Sequence, residues 1–100
     1  MYQARNPLRN PASQLEQMHN YYERLVLEAL SARRLEIDDD SLTDIACIAL
    51  NELPAKYIRH EVDMAYYTDP TEIAAMHGRV ARAVDMAVGR VLCTRLAKPA

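Results

Sequence analysis

One hundred residues with a formal net charge of −2 and a pI near 5.9 make one small domain, with no room for a separate catalytic unit. That balance argues against broad nucleic-acid binding, which leans on a basic surface, so no DNA partner is expected. Half the residues are hydrophobic, yet Phe and Trp are absent: Leu, Ile, Val, Met and Ala must supply the bulk of the core, and Tyr is the sole aromatic.

A chain this short buries only about two-thirds of its unfolded surface, which favours oligomerisation as a supplement to a thin core. No apolar run reaches the roughly 20 residues of a membrane span, and the first residues lack the apolar stretch of a secretion signal. A soluble, cytoplasmic protein without membrane insertion is expected. Cys47 and Cys93 form no CxxC pair and are expected to act as small hydrophobes within helices rather than as a disulfide or metal site.

In chain order, residues 1–12 are expected to form a flexible N-terminal arm and residues 13–100 the helical domain. The arm carries "RNPLRNP" (Arg5–Pro11), whose two Asn-Pro steps disfavour helix. Arg5 and Arg9 make it either a solvated leader or an arm that folds over something anionic. Ser13 followed by Glu16 has the form of a capping box and predicts the start of the first helix. Leu15, Met18, Tyr22, Leu25, Val26 and Ala29 then recur at helical spacing. Tyr21, Leu27 and Leu30 lie off that stripe, so this helix is expected to be covered on more than one side.

The three aspartates of "LEIDDDS" (Leu35–Ser41) suit a helix N-terminus. They lack the glycine and distal glutamate of a calcium loop. A second helix is predicted from about Ser41 to Leu53, apolar nearly all round and hence the central buried element, ended by Pro54. The last helix has the clearest start: Asp69 as cap, Pro70 in the first helical position and Glu72 three residues after the cap. Ile73, Met76, Val80, Val84, Ala87, Val88 and Val91 form its apolar stripe, with Arg79, Arg82, Asp85 and Arg90 on the other side. Gly78 and Gly89 either weaken this helix or permit close packing.

The fold class that follows is mainly α: three main helices plus a short extended or helical segment around residues 55–68, assembled as a dimer. Periodicity does not decide the geometry of that segment. As a strand, Ile58, Val62, Met64 and Tyr66 alternate against Tyr57, Arg59, Glu61, Asp63 and Tyr67; as a helix, Ile58, Val62 and Ala65/Tyr66 make a stripe. Residues four apart share a face in both geometries, so Arg59 and Asp63 are expected to point together, with Lys56 or Tyr57 and Tyr67 nearby.

This is also where the chemistry concentrates. An arginine fork can bond guanine O6 and N7 or a phosphate, and a carboxylate can accept from the N1 and N2 donors of the same base. Tyrosines stack on bases for about 1–3 kcal/mol each, and Lys56 and His60 can neutralise phosphate. The plainer reading is an exposed Arg59–Asp63 ion pair, worth about 0.3–0.5 kcal/mol, beside half-buried tyrosines.

The stretch "DIACIALNELPAKYIRHEVDMAYY" (Asp44–Tyr67) resembles the signature of the late competence development ComFB family in its proteobacterial form. "HNYYERLVLEAL" (His19–Leu30) is similar to that family's first helix, with Asn20 and Glu23 at its usual Asn and Glu positions. The resemblance covers about Met18 to Val91. It implies a small, mostly helical dimer that acts as a receptor for a cyclic dinucleotide, cyclic di-GMP or cyclic di-AMP, bound through the Lys56–Tyr67 region. Some Gram-positive relatives carry a zinc-holding cysteine cluster; this sequence has none, so no metal and no cofactor are expected.

The expected ligand-binding residues are thus Lys56, Tyr57, Arg59, His60, Asp63 and Tyr67, with Arg5 and Arg9 as a candidate second contact. The expected function is a second-messenger receptor that acts through a protein partner, the ligand favouring one of two states of the weakly specified Pro54–Thr68 segment. The alternative is a helical protein-interaction module without a nucleotide ligand. An enzyme is not expected: His19, His60 and His77 are scattered, without HxxxH or HExxH spacing, and no Ser/His/Asp or Cys/His constellation is recognisable.

Overall fold

The computed structural model describes residues 17–97, except for the side chains of residues 65, 67 and 95–97. Along it run β1 (His19–Asn20), α1 (Tyr21–Arg33), α2 (Asp39–Asn51), β2 (Tyr57–Ile58), α3 (Val62–Tyr67) and α4 (Pro70–Ala97). The mainly helical class stands, with three long helices and a small antiparallel strand pair.

Helix α1 starts later than the sequence predicts. Ser13, Leu15 and Glu16 lie outside the described residues, Met18 is not helical, and His19–Asn20 is extended. Met18, expected on the apolar face, is 42 % exposed ahead of the helix. The cap is Asn20, whose φ of −81° and ψ of 115° are those of a strand and whose Oδ1 accepts from the Tyr22 amide. An N-cap needs extended backbone, and pairing with β2 supplies it. Tyr22, Leu25, Val26 and Leu30 are buried as one stripe, while Leu27 remains 58 % exposed. The expected second covered side is therefore incomplete. Arg34, in the left-handed region at φ 51°, turns the chain, and its amide donates to Ser31 O at 3.3 Å.

Helix α2 is held at its start by Asp38, whose carboxylate accepts from the Ser41 amide (3.2 Å) and hydroxyl (2.8 Å). Asp39 and Asp40 occupy the first turn, where the helix dipole favours them. The expectation that this helix is buried all round is corrected. Ile45, Ala49 and Ser41 are buried, Leu42, Ala46 and Ile48 only partly, and Cys47 is exposed. The reason is topological: three long helices cover α2 only where α1 and α4 reach it.

Helix α4 begins as predicted. Asp69 Oδ1 accepts from the Glu72 amide at 2.8 Å and Pro70 opens the helix. Met76, Val80, Ala83, Val84, Ala87 and Val91 are buried, and this stripe packs against both α1 and α2. An ion pair between Arg33 and Asp85 joins the end of α1 to α4. Neither glycine serves close packing: a Cβ at Gly89 would meet nothing within 4 Å, and one at Gly78 only Arg82 Nη1 at 3.5 Å.

The segment after α2 is extended and helical in turn, not one or the other. β2 pairs antiparallel with β1, His19 opposite Ile58 and Asn20 opposite Tyr57. The ladder is reinforced by the Tyr21 amide, which donates to Lys56 O at 2.7 Å. Asn20 Oδ1 then accepts a second bond, from the Lys56 amide at 2.9 Å. The same buried oxygen thus caps α1 and fixes the chain that leaves α2.

Two stability outcomes follow. Asn20→Ala removes both bonds and should cost about 1–3 kcal/mol in urea unfolding, whereas Asn20→Asp keeps the accepting oxygen and should cost less than half as much. Equal losses would mean that the shape of the side chain, not its oxygen, holds the joint. Gly89→Ala, in an open helix interior, should add about 0.5–1 kcal/mol; a loss would mean that the added methyl meets something.

Candidate functional site

The Asn20 joint delivers the expected ligand-binding residues to the surface. Lys56 is exposed just ahead of β2, and Tyr57, within it, is 65 % exposed. Ile58 turns partly inward against the core. Arg59 and His60 are exposed in the bend that follows, and Asp63 stands half-buried in the first turn of α3. Met64, 4 % exposed, is the apolar anchor of that short helix. Val62 (59 %) and Tyr66 (80 %) face outward beside it. Tyr67 is described by its backbone alone, and Arg5 and Arg9 lie outside the described residues.

The sequence argument that put Arg59 and Asp63 on one face does not carry over to this segment. The four-residue rule holds within one regular element, and here a bend separates strand from helix, closed by the Asp63 amide donating to His60 O (3.0 Å). The two side chains form no ion pair with each other, so the plainer surface-pair reading is corrected too. Among the described residues the Arg59 guanidinium has no hydrogen-bond or ion-pair partner.

The bend is braced by Glu61. Its carboxylate does not cap α3; it pairs with Arg24 of α1 and lies 3.8 Å from His19 Nε2. Arg24 also donates to Glu28 at 2.8 Å. The hydrogen bond to Glu28, then the charge of Glu61, raises the Arg24 pKa above its usual value. These groups are half-exposed, so the contacts orient the bend more than they stabilise it.

On the other side of Lys56 lies an open cleft of about 350 Å³, lined by Tyr22, Pro54, Ala55, Lys56, Thr68, Glu72, Met76 and Arg79. Arg79 Nη1 donates to the buried Tyr22 hydroxyl at 3.0 Å and to Glu72 Oε2 at 3.3 Å. The bond to Tyr22, then that to Glu72, raises the Arg79 pKa. A second depression, about 280 Å³, shares Pro54 and Arg79 and continues along α4 past Arg82 to Met86. In the sequence Arg79 stands simply on the polar side of the last helix. Its bond to a tyrosine 57 residues away leaves no local signal.

A larger depression, about 770 Å³, is elsewhere. It is a mostly apolar hollow between α1 and α2, lined by Leu27, Leu30, Leu35, Leu42 and Ala46 with Arg34 and Asp39 among its polar groups, and it holds none of the expected ligand residues. Among the described residues no group of three or more His, Cys, Asp or Glu is placed to hold a metal ion, and no helix is long and apolar enough to cross a membrane. Cys47 and Cys93 are both exposed in their helices, which corrects the expectation that they pack as hydrophobes.

Comparison with known proteins agrees with the signature stretches. No curated protein and no solved structure matches the chain. The family model described as "Late competence development protein ComFB" matches residues 19–94, from β1 through nearly all of α4, a span that includes the Asn20 joint and the exposed bend. The chain belongs to the ComFB family.

Proposed function

We propose that this protein is a non-enzymatic receptor for a cyclic dinucleotide, cyclic di-GMP or cyclic di-AMP, bound at the exposed strand, bend and helix from Lys56 to Tyr67. The observation that carries this reading is the Arg59 guanidinium, exposed and uncommitted among the described residues, on a bend whose two ends are fixed by Asn20 and Met64. Tyr57 beside it offers a ring for base stacking, and Lys56 and His60 offer donors for phosphate. Membership of the ComFB family supports the ligand class through the resemblance already described. Asp63, no longer tied to Arg59, is assigned to the N1 and N2 donors of guanine.

The receptor acts as a homodimer. The hollow between α1 and α2 leaves Leu27 58 % exposed, and a second copy is the occupant that suits it. Arg34 and Asp39 both line this hollow, so in a two-fold pair Arg34 of each copy can meet Asp39 of the other. A cyclic dinucleotide is itself two-fold symmetric. The alternative, a protein-interaction module without nucleotide, draws on one observation: Val62 and Tyr66 make an exposed apolar edge on α3. In the receptor reading that edge is the output surface for a protein partner.

Calorimetry against cyclic di-GMP and cyclic di-AMP, with GTP as control, tests the reading. Binding of a cyclic dinucleotide is expected, with a light-scattering mass of twice 11.4 kDa. Arg59→Ala should weaken it by about 1–3 kcal/mol without loss of fold, and Asp63→Asn should weaken cyclic di-GMP more than cyclic di-AMP. Heat from neither dinucleotide would leave the interaction module standing instead.

A further inference from the structure

We propose that Arg79 is an anion-binding residue of the ligand site, with Glu72 as the resting counter-ion that a phosphodiester displaces. The identity of that phosphodiester, one belonging to the cyclic dinucleotide, rests on the function proposed above; the anion site itself rests on geometry alone.

Arginine carries five N–H donors in a planar fork. Both described bonds of Arg79 leave from Nη1, to Tyr22 and Glu72, so Nε and Nη2 have no described partner. The side chain is 38 % exposed, and it lines both depressions on either side of Pro54. Tyr22, itself 2 % exposed and part of the core, aims the group. A guanidinium held through Nη1 by a buried tyrosine, with Nε and Nη2 lacking a described partner and the residue lining an open cleft, is pre-oriented for a bidentate oxyanion.

The Glu72 carboxylate is half-exposed, and an exposed pair of this kind contributes little to stability. A phosphodiester can therefore take its place as counter-ion at small cost, and until Glu72 moves its charge opposes an anion arriving at the Nε–Nη2 edge. That opposition favours ligands with a second anchor over a lone anion. Lys56 supplies the link between the regions: it lines the cleft and directly precedes Tyr57 of β2. Each depression alone is at or near the lower end of the roughly 300–1,000 Å³ of small-ligand sites, so a dinucleotide would lay one phosphate in the cleft and extend past Lys56 toward Arg59.

The test has two arms on the full chain. In the first, pyrophosphate is titrated while arginine Nε–H signals are followed by NMR, in the wild type and in Glu72→Gln. The Arg79 signal is expected to shift selectively and saturably, at severalfold lower pyrophosphate in Glu72→Gln; an unmoved signal, or equal drift of every exposed arginine, overturns the anion site. In the second, calorimetry compares cyclic di-GMP binding by the wild type, Arg79→Lys and Glu72→Gln. About ten-fold weakening is expected for Arg79→Lys, which keeps the charge and loses the fork, with tightening for Glu72→Gln. Equal affinity of wild type and Arg79→Lys sinks the role of Arg79 and leaves the receptor reading intact. A selective Arg79 shift with pyrophosphate but no heat from either cyclic dinucleotide keeps the anion site and sinks the receptor reading.

Discussion

One carboxamide oxygen, Asn20 Oδ1, accepts from two backbone amides that are far apart in sequence, Tyr22 at 3.2 Å and Lys56 at 2.9 Å. The first bond starts α1 and the second stops the chain that leaves α2 from drifting away from α1. Without it, the residues after Pro54 would be tied to β1 and α1 by a two-residue ladder, the Tyr21–Lys56 bond and the half-exposed Arg24–Glu61 pair, with Met64 as the next apolar anchor. Everything the exposed bend offers depends on this joint: the outward Tyr57, the bend at Arg59 and His60, and the entry into α3. Asn20 is 9 % exposed, so the two bonds are shielded from competing water, and removing the acceptor would leave amides to be satisfied elsewhere.

Around this joint the cations divide by what they already hold. Arg24 and Arg33 are engaged with carboxylates of neighbouring elements, and Arg79 pairs with Glu72 of its own helix and bonds Tyr22 of α1, whereas Arg59 has no described partner and stands near an exposed tyrosine. Arg79 belongs partly to both kinds, since one nitrogen makes both of its described bonds. In the proposed receptor, a phosphodiester meeting a chain of net charge −2 needs such local positive ground; Lys56 and Arg79 line one cleft, and Arg59 follows Lys56 at the exposed bend.

What the sequence makes legible is what local chemistry decides. The start of α4 is fully written in Asp69, Pro70 and Glu72, because a cap, a φ-restricted first residue and a third-position amide are all within one turn. The three aspartates at the start of α2, Asp38 as cap and Asp39 and Asp40 in the first turn, announce it for the same reason. The start of α1 is not legible, because the cap it uses, Asn20, depends on a strand partner far away in sequence. The segment after Pro54 fits both periods because it uses both, a strand at Tyr57–Ile58 and a helix at Val62–Tyr67, and no window average can show a bend between them. Arg59 stands out in the sequence by its company. Arg79 does not, since its significance arises only from Tyr22, across the packed interface of α1 and α4.

The dependence of the bend on the Asn20 oxygen is most directly tested by amide hydrogen exchange in the wild type and in Asn20→Ala. The Lys56 and Tyr22 amides should be protected in the wild type and lose that protection in the variant, while the buried α4 amides of Val84 and Ala87 keep theirs. A Lys56 amide that exchanges equally in both proteins would contradict the joint as the feature that places the site.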